Sequence, residues 1–227
     1  QVPMTIDTNV YRTECNTEHH MNKLQFLNTL ELCLGDEFYF TWGYDSRGRM
    51  YANGYHLNPQ GSEYSKALLS FHNKEFINNL DNLYIAIANH AGMDKLTWDE
   101  RIKWTRQKVL TDSGVIKGCM PEVTWDEPIL AKKALMALEY TSSGLETGYM
   151  MSADSTNSGV QIMAVLTGCK TTGLYTNCID GDVRHDLYTE ISKRMNESLN
   201  EPISRAITKQ AGMTHFYNSK ATTKALL

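Results

Sequence analysis

The chain has 227 residues, 41% of them hydrophobic, and a formal net charge of -4. That length and apolar content suffice for a sizeable core, the mild acidity excludes a uniformly basic surface, and no stretch approaches the roughly 20 apolar residues of a membrane span. Cys15, Cys33, Cys119, Cys169 and Cys178 are odd in number and never spaced as CxxC, and the histidines, His19-His20 included, show no HExxH spacing, which argues for a reducing compartment and against structural zinc.

Residues 1–22 are polar and aperiodic, and the chain starts at Gln1 without a basic or apolar leader, so further sequence upstream is expected. Residues 23–35 place Leu24, Leu27, Leu30, Leu32 and Leu34 near helical spacing and close on Gly35, which suits a C-cap. Phe38, Phe40 and Trp42 alternate as a strand does, and a turn at Asp45-Ser46-Arg47-Gly48-Arg49 leads into a second strand, Met50-Tyr51-Ala52. Two arginines flanking a glycine form a cationic fork suited to phosphate, although the same pattern serves in ordinary solvated turns.

Ser65 to Phe71 and Asn78 to His90 read as helical, with Gly92 after the second. Thr97 and Glu100 make a capping box, which predicts a helix to about Val109. The polar stretch from Thr111 to Thr124 reads as an exposed loop. Pro128 and Gly144 then bracket a helix with Leu130, Ala134, Leu135 and Leu138 on one face.

The stretch from Tyr149 to Gly168 changes period at a carboxylate. Tyr149-Met150-Met151 reads as a short strand, Asp154 ends it, and Ser155 to Gly159 are turn-forming or helix-starting types. Val160, Ile162, Met163, Val165 and Leu166 then recur at helical spacing. An acid between a strand end and a helix start either caps its own helix or faces a ligand at a sheet rim. Asp182 to Leu199 is a further helix, with Val183, Leu187, Ile191 and Met195 at four-residue steps. After Pro202, Arg205, Lys209, Met213 and Tyr217 also recur every four residues. They form a stripe about 18 Å long, cationic at its start and aromatic at its end. Such a stripe suits a ligand with polyphosphate at one end and a flat base or sugar at the other; solvated cations beside core residues give the same spacing.

Together, DSRGR at 45–49, MYA, NPQG at 58–61, WDEP at 125–128, DSTNSG at 154–159 and RAITKQAGMTHFYNS at 205–219 resemble the single-subunit, phage-type RNA polymerases, in the family's order. The resemblance implies an α+β, mainly helical fold, the palm and fingers portion of a right-hand polymerase with a small, mostly antiparallel palm sheet. It divides the chain into a lead-in segment and helix at 1–37, a palm core with helical insertions at 38–200, and the start of the fingers with the nucleotide-binding helix at 201–227. Asp45, Arg47, Gly48 and Arg49, with Tyr51 after them, match the element that lies along the RNA–DNA hybrid and template. Asp154 matches the first metal-binding aspartate, and Ser155 stands where the family usually has a glycine whose carbonyl also faces metal. Arg205 and Lys209 match the residues that grip the triphosphate, Met213 continues that nucleotide-binding face, and Tyr217 matches the tyrosine beside the nucleotide sugar. Gly159 stands where related DNA polymerases carry a glutamate that closes the 2′-hydroxyl space.

The implied activity is DNA-directed RNA synthesis with two Mg²⁺ ions, using NTPs, a DNA template and an RNA product, in the cytoplasm of an infected bacterial host and without a membrane partner. The catalytic set it implies is Asp154, Lys209 and Tyr217. The family's second aspartate, in a His-Asp turn, has no counterpart in residues 1–227, so a second polymerase polypeptide is expected to supply it. A catalytically silent nucleic-acid-binding or scaffolding subunit derived from a polymerase is the alternative. Asn218, in place of a glycine, and the short Leu199–Arg205 connection depart from the family pattern.

Overall fold

The computed structural model describes residues 2–10, 31, 33–46, 48–54, 57–110, 123–153, 155–179, 183–199 and 202–215. The chain divides into two compact units, Gln1–Ser152 and Ala153–Leu227. The expectations for Arg47, Asp154 and Tyr217, most of the 23–35 helix and nearly all of the 111–124 loop lie outside the described residues.

In the first unit, strand β1 (Met4–Ile6) pairs antiparallel with β4 (Leu69–Phe71), Met4 opposite Phe71. A hairpin of β2 (Thr41–Tyr44) and β3 (Met50–Asn53) sets Trp42 opposite Ala52 and Tyr44 opposite Met50. The helices are α1 (Glu63–Ala67), α2 (Leu80–His90), α3 (Trp98–Lys108) and α4 (Pro128–Ser142). Both halves of the capping box form at the start of α3: Thr97 Oγ1 accepts the Glu100 N–H and Glu100 Oε2 accepts the Thr97 N–H. The residue before Pro128 makes no side-chain cap. Instead Glu63 of α1 reaches across to accept the Ile129 and Leu130 N–H groups at 2.6 and 3.1 Å, putting its charge at the positive end of α4.

Two apolar clusters fill this unit. One joins α2, α3 and α4 through Leu83, Ile87, Val109, Leu135 and Leu138. The other joins β1, α1 and β4 through Ile6, Leu57, Tyr64, Leu68 and Leu69, with Ile129 and Leu130 of α4 against it. Between them lies Lys133, a cation only 4% exposed. Its Nζ donates to the carbonyls of Ala67, at 2.8 Å, and of Leu69, and lies 3.6 Å from Asp7 Oδ2. Burial lowers the ammonium to about 8, while the charge and hydrogen bond of Asp7 act the other way. Asp7 Oδ2 also accepts from the Ser70 hydroxyl, and Asp7 Oδ1 accepts the Asn9 and Val10 N–H groups. One ion pair thus ties the start of the chain to the α1–β4 corner and to α4.

The second unit contains α5 (Ser158–Thr167), α6 (Lys170–Tyr175), α7 (Leu187–Leu199) and α8 (Arg205–His215). Gly168, at φ 62° in the left-handed region, ends α5. Among the described residues no helix is long and apolar enough to cross a membrane.

Four expectations change. Ser65–Phe71 is not one helix: α1 stops at Ala67 and Leu69–Phe71 becomes β4, because β1 offers it a ladder. Tyr149–Met151 forms no strand; its hydrogen bonds to β4 and beyond stop at Gly148, whose carbonyl accepts the Phe71 N–H, and at the Thr147–Glu75 bridge. The small antiparallel sheet expected as one is, among the described residues, two separate antiparallel pairs in a helix-rich chain. Finally, α7 begins at Leu187 and buries Tyr188 and Ser192, leaving Val183 and Met195 of the expected apolar face exposed. The Tyr188 ring packs against Gly212 of α8, and Ser192 donates to the Ile203 carbonyl just before it.

Lys133→Met should cost about 3–5 kcal/mol in urea denaturation, because Asp7 keeps its charge without a cation. Adding Asp7→Asn should return part of that loss. Unfolding of Lys133→Met at the wild-type urea concentration would show that the network carries no stability.

Candidate functional site

The hairpin holds the first group of candidate residues. Asp45 shapes the turn: its Oδ1 accepts the Arg49 N–H at 2.9 Å, its own N–H donates to the Arg49 carbonyl, and its carbonyl accepts from Gly48. Gly48 has φ 76°, a left-handed conformation that favours glycine. Behind the turn, Phe38, Phe40 and Trp42 stack edge to face, with centroids 5.6 and 6.4 Å apart. Arg49 and Tyr51 are exposed, together with Trp42, Tyr44 and Met50.

The outer edge of β3 has no third strand among the described residues. The Gln60 carboxamide takes that place: Oε1 accepts the Ala52 N–H and Nε2 donates to the Met50 carbonyl, both at 3.0 Å. Asn58 Nδ2 donates to the carbonyls of Ala52 and Gly54, and Asn58 Oδ1 accepts the Gln60 N–H. The NPQG stretch is a side-chain strand that keeps the hairpin in register. Nothing in the local pattern of NPQG announces that role.

The approach to Asp154 is anchored five residues earlier. Tyr149 is buried, its hydroxyl 3.3 Å from His90 Nε2, while His90 Nδ1 lies 2.9 Å from Glu127 Oε2. Burial, and then the charge of Glu127, push the Tyr149 hydroxyl well above its ordinary value, so it is neutral and held in place. A Cβ on Gly148 would come within 2.2 Å of the Phe71 carbonyl oxygen, so only glycine permits this approach. WDEP therefore contributes Glu127 to an anchor as well as Pro128 to a helix start.

On the far side, the N-cap position of α5 is Asn157, without a side-chain cap bond. Ser155 is exposed. A Cβ on Gly159 would meet nothing within 4 Å among the described residues. The described residues contain no cluster of three or more His, Cys, Asp or Glu able to hold a metal. They do not make a two-ion site by themselves.

The α7–α8 pair carries the third group. Asn196 binds both the N–H and the carbonyl of Ile203, at 2.6 and 3.3 Å, and Ser192 Oγ donates to the same carbonyl. This clasp ties α7 to the residues that lead into α8. On α8, Thr208 is buried and Gly212 lets the Tyr188 ring approach to 3.0 Å from where a Cβ would stand. Arg205 borders this packed face, and Lys209 and Met213 are exposed. The stripe therefore drifts outward along the helix, as its 40° advance per four residues requires.

The family model for DNA-dependent RNA polymerase matches residues 77–225. The chain is 30% identical over 220 residues to the DNA-directed RNA polymerase of Pseudomonas phage phiKMV, an alignment covering 82% of this chain and 27% of the relative. It is 25% identical over 173 residues to T7 RNA polymerase of Escherichia phage T7, covering 71% and 19% respectively. It is 28% identical over 200 residues to DNA-directed RNA polymerase 1, mitochondrial, of Arabidopsis thaliana, covering 79% and 20%. The chain belongs to the DNA-dependent RNA polymerase family, in its single-subunit, phage-type branch. It spans about a quarter or less of the length of these relatives.

Gln60→Met tests the hairpin clamp, since a thioether side chain neither accepts the Ala52 N–H nor donates to the Met50 carbonyl. Amide exchange at Ala52 should speed up by about five- to tenfold, the equivalent of one lost hydrogen bond. Unchanged protection there would mean that the clamp does not hold the strand.

Proposed function

We propose that this chain is the part of a DNA-directed RNA polymerase that carries the first metal-binding aspartate and the helix that receives the incoming nucleotide. One observation carries the reading: the family match runs over residues 77–225, a segment that contains Asp154, Arg205, Lys209 and Tyr217 in one polypeptide. In this reading residues 38–200 are the palm core and α8 begins the fingers. Arg205 and Lys209 grip the triphosphate, Met213 lines the nucleotide, Tyr217 meets the ribose, and the hairpin of Asp45, Arg47, Gly48, Arg49 and Tyr51 lies along the RNA–DNA hybrid.

Asp154, with the Ser155 carbonyl, would be a ligand to Mg²⁺. Two bound ions would supply activation of the RNA 3′-hydroxyl and charge relief for departing pyrophosphate. A pair of divalent ions about 3.5–4 Å apart needs more carboxylate than Asp154 offers. The remaining acid comes from outside these 227 residues. It belongs either to the same polypeptide or to a second chain, as in the heterodimeric middle-transcription RNA polymerase of enquatrovirus-like bacteriophages; the mass of the native polypeptide, isolated from the infected cell's cytoplasm, decides between them.

In the assembled polymerase, Asp154→Asn should lower nucleotide incorporation by on the order of 10³-fold. Wild-type elongation by that variant would remove Asp154 from the mechanism. Tyr217→Phe should weaken the preference for ribonucleotides over deoxyribonucleotides by about 1–3 kcal/mol, given the open space at Gly159. Competition between the two nucleotide types on a primed template measures it, and an unchanged ratio refutes a polar contact to the 2′-hydroxyl.

A further inference from the structure

Asp186 stands just before α7, and its two carboxylate oxygens do different work. Oδ1 accepts the N–H groups of Tyr188 and Thr189 at 3.0 and 3.3 Å, the bonds of a helix N-cap. Oδ2 receives Arg205, with Nε at 2.7 Å and Nη2 at 2.6 Å. The Arg205 guanidinium carbon also lies 5.9 Å from the centre of the Tyr188 ring, and that ring is itself seated against Gly212 on α8. The guanidinium is therefore held along one edge by a charge and across one face by an aromatic ring. Its side chain remains 37% exposed, so a solute can reach it.

We propose that Asp186 is a positioning residue for Arg205, fixing the Nε–Nη2 edge so that the Nη1 side of the fork is offered to phosphate. The inference rests on the reading of Arg205 as a triphosphate-binding group. A guanidinium on a free side chain must lose rotamer freedom when it binds, and one already held does not. The held edge also leaves donors over, since a guanidinium carries five N–H groups. Burial alone would raise the Asp186 carboxyl, but the hydrogen bond and charge of Arg205, with the N–H groups of Thr189 and Tyr188, bring it below the ordinary carboxylate range. The acid is thus ionised at neutral pH.

Asp186→Asn separates the two tasks. Asparagine caps a helix as well as aspartate does, but its amide would turn a donor toward the guanidinium. Titration calorimetry of the 227-residue chain with inorganic tripolyphosphate should show binding weakened about five- to tenfold in Asp186→Asn, with the thermal midpoint within about 2 °C of wild type. Asp186→Glu, which restores the charge, should recover part of the affinity. Arg205→Ala should weaken binding as well, and adding Asp186→Asn to it should weaken it no further. Wild-type affinity in Asp186→Asn, or tighter binding because the acid merely competed with phosphate, would overturn the positioning role while leaving Arg205 as a phosphate group. Wild-type affinity in Arg205→Ala would instead sink the phosphate reading, and the inference with it.

Discussion

Every backbone N–H and carbonyl that leaves water needs a partner, and this chain meets that constraint with very little sheet. Its described strands form two separate pairs. Where a third strand would stand, a carboxamide stands instead. Gln60 makes both bonds of a strand neighbour to β3, Asn177 does the same with the N–H and carbonyl of His185, and Asn196 does it with Ile203. Lys133 completes the set, donating to two carbonyls at the α1–β4 corner. These side chains are as much a part of the backbone architecture as the ladders are.

Charges obey the same economy of place. Asp7 and Asp186 each divide their oxygens, one capping a turn of chain and the other holding a cation from elsewhere in the same unit. Glu63 caps α4 from another helix. In each case the acid does locally what its residue type does in any turn or helix start, and also makes a long-range connection. Losing one partner leaves the other charge partly desolvated, so the cost of disruption exceeds the net worth of the pair.

Under the proposed reading this distribution has a functional meaning. The hairpin exposes Arg49 and Tyr51 and α8 exposes Lys209 and Met213, while Asn58 and Gln60 hold the hairpin strand and Asn196 and Asp186 hold the start of α8. The segment leading to Asp154 is likewise held by Tyr149, His90 and Glu127. Rigid support behind an exposed ligand-facing group reduces what must be ordered when the ligand arrives.

Elements whose signal is local are legible in the order of the amino acids. The capping box at Thr97 and Glu100, Pro128 at the start of α4, the glycines Gly92 and Gly144 after helices, and the turn closed by Asp45, Gly48 and Arg49 all appear as read, because each depends on a few neighbouring residues. The family's motifs, read together, also named the class of protein before any contact was known. Tertiary structure alone decided that Leu69–Phe71 is a strand, since only β1, more than sixty residues away, supplies its partner. It alone turned α7 onto Tyr188 and Ser192, buried Lys133 beside Asp7, and spent the Asp186 charge on Arg205. No local pattern announces these, because a buried cation or a carboxamide acting as a strand is acceptable only when acceptors far along the chain converge on it, and that convergence is a property of the fold.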